Sequence, residues 1–322
     1  MGNKRMKIVI LDGYAMNPGD LDWAALHALG DVVIHDRTDE AQVIEQGEGA
    51  DALLTNKVPI SRQVIDALPQ LKYIGVMATG YNIIALDRAK ERDIVVTNVP
   101  GYSTTSVVQL TFSLLLELCF RTQRHSDAVK KGKWSSSPDF CFWDYPLVEL
   151  SGKKLGIIGL GSIGQKVADV ASAFGMEVLA FSRTQTDQSH RQNFRWVSLD
   201  ELFTEADVVT LHCPLTEATA NMIDRRSLAQ MKSSAVLINT SRGGLVHAQD
   251  LADALNAGKI RAAGLDVLEK EPPVADHPLF TAKNCLITPH IAWATHESRV
   301  RLMATVVDNF KAFLEGHPVN LV

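Results

Sequence analysis

The chain of 322 residues has only four cysteines, Cys119, Cys141, Cys213 and Cys285, and no two of them form a C-x-x-C pair. That spacing argues against a zinc site and against a disulfide framework, so the expectation is reduced thiols, no bound metal and a cytoplasmic location. Long apolar runs are scarce as well. The longest, LTFSLLLELCF from Leu110, is too short and too interrupted to span a bilayer, and the opening MGNKRMKIVI has no signal-peptide core. Position 6 is Met6, which breaks the myristoylation pattern. Lys and Arg number 32 against 37 Asp and Glu, a formal net charge of −5 with no basic stripe. The reading is therefore no membrane and no nucleic-acid partner.

What is present is an apolar fraction of 46% and a charged fraction of 21%, as in soluble globular proteins. At about 150 residues per domain, the length suggests two domains. In the first hundred residues short β-rich runs (KIVIL at Lys7, DVVIH at Asp31, ADALLT at Ala50, LKYIGVM at Leu71, IVVTN at Ile94) alternate with helix-like runs (LDWAALHAL, QVIDAL, DRAKER). This rhythm predicts a parallel sheet with helices on both faces. A second βα series follows, with six strand candidates: KLGIIGLG, EVLAF, ADVVTLHCP, AVLINTSRGG, RAAGLDVL and CLITPHI. After Pro289 the segment ATHESRVRLMATVVDNFKAFLEG is helical in period with no further strand, so it packs back on an earlier layer. The expected fold is α/β, two Rossmann-like or flavodoxin-like domains, with residues 102–290 inserted into a discontinuous domain of residues 1–101 and 291–322.

The second series opens on LGIIGLGSIG, a G-x-G-x-x-G between an apolar run and a helical pattern, which is the context a dinucleotide fingerprint requires. Gly159 makes the tight turn, Gly161 lets backbone approach a pyrophosphate, and Gly164 lets helix pack on strand. The N–H groups at Ser162 and Ile163 would face the phosphates. Glycines serving only turn and packing are the rival reading. Where many NAD-binding sheets carry an acid at the end of the second strand, this chain has Ser182, Arg183 and Thr184. Ser182 with Arg183 would accept the 2′-phosphate of NADP; alternatively Arg183 is a solvated loop cation.

Three charged residues follow strand-like runs, where open α/β sheets bind ligands: Arg242 in INTSRGG, Glu271 in GLDVLEKEPP and His290 in LITPHI. A planar guanidinium holds a carboxylate and polarises a carbonyl, and a histidine exchanges a proton near neutrality. A carboxylate beside that histidine fixes its orientation and favours its protonated form. Singly, each has a structural alternative: a surface pair for Arg242, one charge of the cluster Glu269, Lys270, Glu271 for Glu271, and a capped core histidine for His290.

Taken in order, G-x-G-x-x-G, INTSRGG, GLDV…EPP and PHI resemble the D-isomer-specific 2-hydroxyacid dehydrogenases, and the resemblance covers nearly the whole chain, including ATGYNI and VTNVPGYSTTSVVQ. It implies that Arg242 binds substrate carboxylate and carbonyl, that His290 is the acid/base and that Glu271 is its partner. It implies NAD(P)(H) contacts from Thr104, Gly159, Gly161, Ser162, Ile163, Gly164, Ser182, Arg183, Cys213, Pro214, Thr240, Ser241, Arg242, Asp266 and His290. Substrate contacts would come from the backbone of Ala78, Thr79 and Gly80, from Lys57 and Val58 across the cleft, and from Arg242 and His290. Trp293, in an Ala-Trp where Gly-Ser is common, either narrows the substrate pocket or packs at the hinge.

PGYSTTSVVQLTFSLLLEL and DFCFWDYPLVELSGKKLGIIG are most similar to the glycerate dehydrogenase (hydroxypyruvate reductase) branch of that family. The implied activity is hydride transfer between NAD(P)H and D-glycerate or hydroxypyruvate, with glyoxylate secondary, in an interdomain cleft. The rivals are phosphoglycerate or another D-2-hydroxyacid dehydrogenase, and a non-catalytic dinucleotide-sensing protein on the same scaffold. The segment 104–131, apolar in its first half and too long for a linker, is expected to pair with its symmetry mate in a homodimer.

Overall fold

The computed structural model describes residues 5–322. The expectation that the opening MGNKRMKIVI is neither leader nor acylation signal falls in part on residues 1–4, outside the described residues. The chain divides into two compact units, residues 1–103 with 293–322 and residues 104–292.

The first unit holds a five-stranded parallel sheet of β1 (Lys7–Ile10), β2 (Asp31–Ile34), β3 (Ala52–Thr55), β4 (Tyr73–Val76) and β5 (Val95–Thr97), in the order β2-β1-β3-β4-β5. This is the flavodoxin-like order. Central strands β3 and β4 are buried along their whole length, as runs such as ALLT and YIGV covered on both faces should be. The helix His296–Leu314 belongs to this unit, and the returning chain is explained by its apolar stripe. Leu302, Met303, Val306 and Phe310 recur at helical spacing and pack with Ile8, Ile10, Leu54 and Tyr73 in one cluster. Phe310 meets the Tyr73 ring edge-on at 5.2 Å, while the Tyr73 hydroxyl pairs with Thr97 Oγ1 at 2.6 Å. Burying each such side chain contributes on the order of 2 kcal/mol.

The second unit holds a seven-stranded parallel sheet: β6 (Lys154–Ile158), β7 (Glu177–Phe181), β8 (Phe194–Trp196), β9 (Val208–Leu211), β10 (Val236–Asn239), β11 (Ala262–Leu265) and β12 (Cys285–Ile287). Its order, β12-β11-β10-β9-β6-β7-β8, is that of a doubly wound dinucleotide-binding sheet with one extra edge strand. Six strands match the six candidates. The seventh, β8, is a three-residue edge strand reading FRW, with too little pattern to register as a strand.

The boundary at residue 104 coincides with the first residue of the helix Thr104–Phe120, two residues beyond the expected position. That helix also corrects the basis of the pairing argument. Its apolar residues Val108, Phe112, Leu114, Leu115 and Leu118 are buried in a cluster with Leu155, Ile157, Val167 and Ile238 of the same unit. Exposed apolar surface lies further along, at Phe120, Val129, Trp134, Phe140, Trp143 and Leu147. Among the described residues no helix is long and apolar enough to cross a membrane.

Candidate active site

Strands β6, β7, β9, β10, β11 and β12 run parallel, so their carboxyl ends share one edge of the sheet. That edge receives the Gly159 turn, Ser182, His212 to Pro214, Thr240 to Arg242, Asp266, and Thr288 to His290 in turn. The order in which strands are added reverses between β6 and β9, the switch point at which such sheets open a crevice for ligand.

Each glycine of the fingerprint occupies a different environment. Gly159 has φ +97° and lies so close to β9 that an added Cβ would stand 2.7 Å from Cys213 N. At Gly164 a Cβ would meet Gly159 O at 2.2 Å, which holds the helix Ser162–Ala173 tight against its strand. Gly161 is the opposite case. It caps this helix without a side-chain hydrogen bond, and no atom comes within 4 Å of a Cβ placed on it. Unscreened helix N–H groups facing open space beside a tight glycine turn fit a pyrophosphate.

Below the turn, His212 Nε2 lies 2.9 Å from Thr210 Oγ1, and burial pushes its pKa down to about 3, so it is neutral packing. Ser182 follows β7 and is half-buried. Arg183 is exposed, with no ion pair to a described residue. The loop after Arg183 is nonetheless fixed: Arg191 donates to Gln188 Oε1 at 2.7 Å and to Gln165 O at 3.2 Å, and it pairs with Asp169. Sequence reasoning missed this clasp, because its partners are a loop amide and a helix carbonyl.

The acid/base pair is assembled from two loops. Glu271 Oε1 accepts the Leu268 N–H at 3.0 Å, and Oε2 lies 2.5 Å from His290 Nδ1. Nδ1 is thereby engaged, which leaves Nε2 as the ring atom able to take or give a proton. The neighbouring acid Glu269 is occupied elsewhere, with both oxygens 3.1 Å from Nε2 of buried His277. The cluster of charges at 269–271 thus resolves into two separate histidine pairs. His290 itself has φ +55°, a left-handed conformation uncommon outside glycine and often met at functional sites.

Asp266 holds that conformation in place. Its carbonyl accepts the His290 N–H at 2.8 Å; Oδ1 accepts Thr288 Oγ1 at 2.6 Å and the Ile291 N–H at 2.9 Å; Oδ2 accepts the Ala292 N–H at 2.8 Å. Burial pushes the Asp266 carboxyl up from its ordinary value, and these donors partly offset the shift. Both of its oxygens are thus engaged within the protein, around the turn that carries His290.

Arg242 follows β10 in an exposed loop and donates to Ser241 O at 2.7 Å, while Asn239 Nδ2 donates to Arg242 O at 2.9 Å. A Cβ on Gly243 would stand 1.9 Å from Leu268 C, so the arginine loop packs directly on the loop that leads to Glu271. Ser241 Oγ donates to Cys213 O, and Thr240 Oγ1 pairs with Thr111 Oγ1 at 3.1 Å. Thr104 is the first residue of its helix.

The expected substrate residues of the other unit follow its β3 and β4. Lys57 and Val58 are held by Asp12, whose carboxylate accepts the N–H groups of Asn56 (2.8 Å), Lys57 (2.6 Å) and Val58 (3.3 Å). Ala78, Thr79 and Gly80 follow β4 directly, and their N–H groups donate to no acceptor among the described residues. Trp293 is partly buried against the cluster that contains Met16, Val99 and Tyr102.

A dinucleotide-binding edge that carries a carboxylate-anchored histidine defines an oxidoreductase that works with a nicotinamide cofactor. The family model described as "D-isomer specific 2-hydroxyacid dehydrogenase, NAD binding domain" matches residues 112–292. Over 320 residues the chain is 50% identical to a hydroxypyruvate reductase of Blautia hydrogenotrophica, covering 98% of this chain and 99% of that protein. It is 40% identical over 283 residues to a glycerate dehydrogenase of Methylorubrum extorquens, covering 87% and 88%. Among solved structures it resembles an NADPH-dependent glyoxylate/hydroxypyruvate reductase of Sinorhizobium meliloti in complex with NADP and malonate. That match has a TM-score of 0.84 at 28% identity and covers 99% and 97% of the two chains. The chain belongs to the D-isomer-specific 2-hydroxyacid dehydrogenase family: it is an NAD(P)H-dependent oxidoreductase of a D-2-hydroxy or 2-oxo acid.

Proposed function

We propose that the enzyme interconverts hydroxypyruvate and D-glycerate, with glyoxylate as a secondary substrate. When bound, the dinucleotide supplies or accepts the hydride at C2. His290 Nε2 delivers the proton to the carbonyl oxygen, and Glu271 keeps the ring oriented through Nδ1. Arg242 holds the carboxylate and stabilises the alkoxide as it develops. The N–H groups of Ala78, Thr79 and Gly80 take the carboxylate as a backbone nest. The observation that carries the mechanism is the 2.5 Å contact between His290 and Glu271, with Glu271 anchored in turn by Leu268 N–H.

The substrate is supported by the 50% identity to a hydroxypyruvate reductase. A phosphorylated substrate would want further cations. On the same sheet edge as Lys57 the structure adds Arg37, stacked 4.1 Å over the Tyr14 ring, so phosphohydroxypyruvate belongs in the test. Turnover is to be measured with hydroxypyruvate, glyoxylate, pyruvate and phosphohydroxypyruvate, each with NADH and NADPH. The highest kcat/KM is expected with hydroxypyruvate. A higher value with the phosphorylated acid would replace this reading, and no turnover of any of the four would favour the dinucleotide-sensing alternative.

We further propose a homodimer working in the cytoplasm, where its four unpaired thiols would stay reduced. Support for the dimer comes from an open apolar pocket of about 350 Å³ lined by Phe120, Val129, Trp134, Phe142, Trp143 and Leu147, a face better suited to a second copy than to water. Light scattering that gave a stable monomer at micromolar concentration would refute the pairing.

A further inference from the structure

The loop after β4 is held on both sides by asparagines. Asn56, just past β3, donates from Nδ2 to Met77 O at 2.6 Å; Asn98, just past β5, donates from Nδ2 to Thr79 O at 2.7 Å. Between them Ala78 O accepts the Val99 N–H at 3.0 Å. These peptides are trans, and in a trans peptide the C=O and the following N–H point in opposite directions. Fixing the carbonyls of residues 77, 78 and 79 therefore aims the Ala78 N–H away from Asn56, and the Thr79 and Gly80 N–H groups away from Val99 and Asn98. The nest is thus set by what grips its carbonyls.

Asn98 is itself gripped. Asn309, 2% exposed in the middle of the helix His296–Leu314, donates from Nδ2 to Asn98 O at 2.8 Å. Asn320 Nδ2 donates to Asn309 Oδ1 at 2.8 Å, and Asn98 N–H donates to Asn320 O at 3.1 Å. Three asparagines, Asn98 far in sequence from Asn309 and Asn320, close a ring. A buried amide interrupting the apolar stripe of that helix costs stability unless it is hydrogen-bonded, and Asn309 gives its donor to Asn98 O and its acceptor to Asn320.

We infer that Asn309 is a positioning residue for the substrate carboxylate, acting through Asn98 on the N–H groups of Thr79 and Gly80 in that nest. The inference rests on the proposed role of that nest. Asn309→Asp keeps size and the acceptor for Asn320 but removes the donor to Asn98 O; Asn320→Ala, at an exposed position, opens the ring from the other side without threatening the fold.

The readouts are KM for hydroxypyruvate, Ki for the unreactive carboxylate oxamate, KM for the dinucleotide, and kcat. Both variants should raise the hydroxypyruvate KM and the oxamate Ki together, by about three- to tenfold, the worth of one neutral hydrogen bond. The dinucleotide KM and kcat should stay within about twofold, since no transition-state contact is lost. An unchanged KM and Ki in both variants would overturn the inference, as would a parallel loss in kcat and dinucleotide KM. Asn98→Ala separates the two layers of argument. If it too leaves the oxamate Ki unchanged, the nest reading falls; if it raises Ki while the Asn309 and Asn320 variants do not, only the present inference falls.

Discussion

Replacing Gly161 and Gly164 by alanine, one at a time, distinguishes a phosphate-binding turn from one built only for packing. At Gly164 the new Cβ would stand 2.2 Å from Gly159 O, a backbone atom that cannot turn aside, so helix and strand must separate. Overpacking of this kind costs about 1–3 kcal/mol. For a unit of this size that lowers Tm by roughly 3–10 °C. At Gly161 the Cβ meets nothing within 4 Å, and only the N-cap preference is lost, about 1 kcal/mol or less. Yet that empty space is where a pyrophosphate would lie against the helix N–H groups. Losing one charge-assisted hydrogen bond costs about 1.5–3 kcal/mol, so Kd for NADP⁺ or NAD⁺ should rise roughly 10- to 100-fold. Calorimetric titration and thermal melts on both variants make the comparison. Near-native affinity in a well-folded Gly161→Ala protein would refute the placement of the phosphates, and an unshifted melt for Gly164→Ala would refute the packing argument.

His290→Ala should lower kcat roughly 10²-fold or more through loss of general acid catalysis, while dinucleotide affinity changes little; steady-state kinetics beside a binding titration would expose the opposite pattern. Glu271→Gln, which can offer an N–H to Nδ1 in place of an acceptor, should lower kcat roughly tenfold or more with the melt nearly unchanged. Asp266→Ala strips the acceptor from Thr288, Ile291 and Ala292 and should lose both stability and activity, by about 2–4 kcal/mol of unfolding free energy in denaturant titration. With Ser182→Asp, repulsion of the 2′-phosphate should shift preference towards NADH, whereas Arg183→Ala should weaken NADPH alone, about tenfold. A wild-type enzyme that rejects NADPH as strongly as the Ser182→Asp variant would remove the phosphate site.

Most of the fold was legible because strands buried on both faces write continuous apolar runs, and the chain alternates these with helical periods. VLIN, AAGL and ALLT are such runs. What escaped was short or at an edge: β8 has three residues, and only its neighbour β7 defines it as a strand. The helix Thr104–Phe120 was visible as an element but its destination was not, since an apolar face looks the same whether it covers its own sheet or another copy. The structure assigns that face to Leu155, Ile157 and Ile238.

The site was legible in the same uneven way. Charged residues at strand ends announce themselves, and a carboxylate 19 residues before a histidine was paired with it through the resemblance that their motifs carry. Supporting residues carry no such sign, because a buried asparagine or aspartate is named by its partners rather than by its neighbours. One trace was nevertheless there. β3 and β5 both end in Thr followed by Asn, LLTN and VVTN, and in a sheet ordered β3-β4-β5 these two ends must flank the loop that leaves β4. A side-chain amide just past each neighbouring strand is placed to reach that loop's carbonyls, and Asn56 and Asn98 do so from opposite sides. Parallel order therefore turns a repeated dipeptide, unremarkable as sequence, into a clamp on the loop proposed to receive the substrate carboxylate.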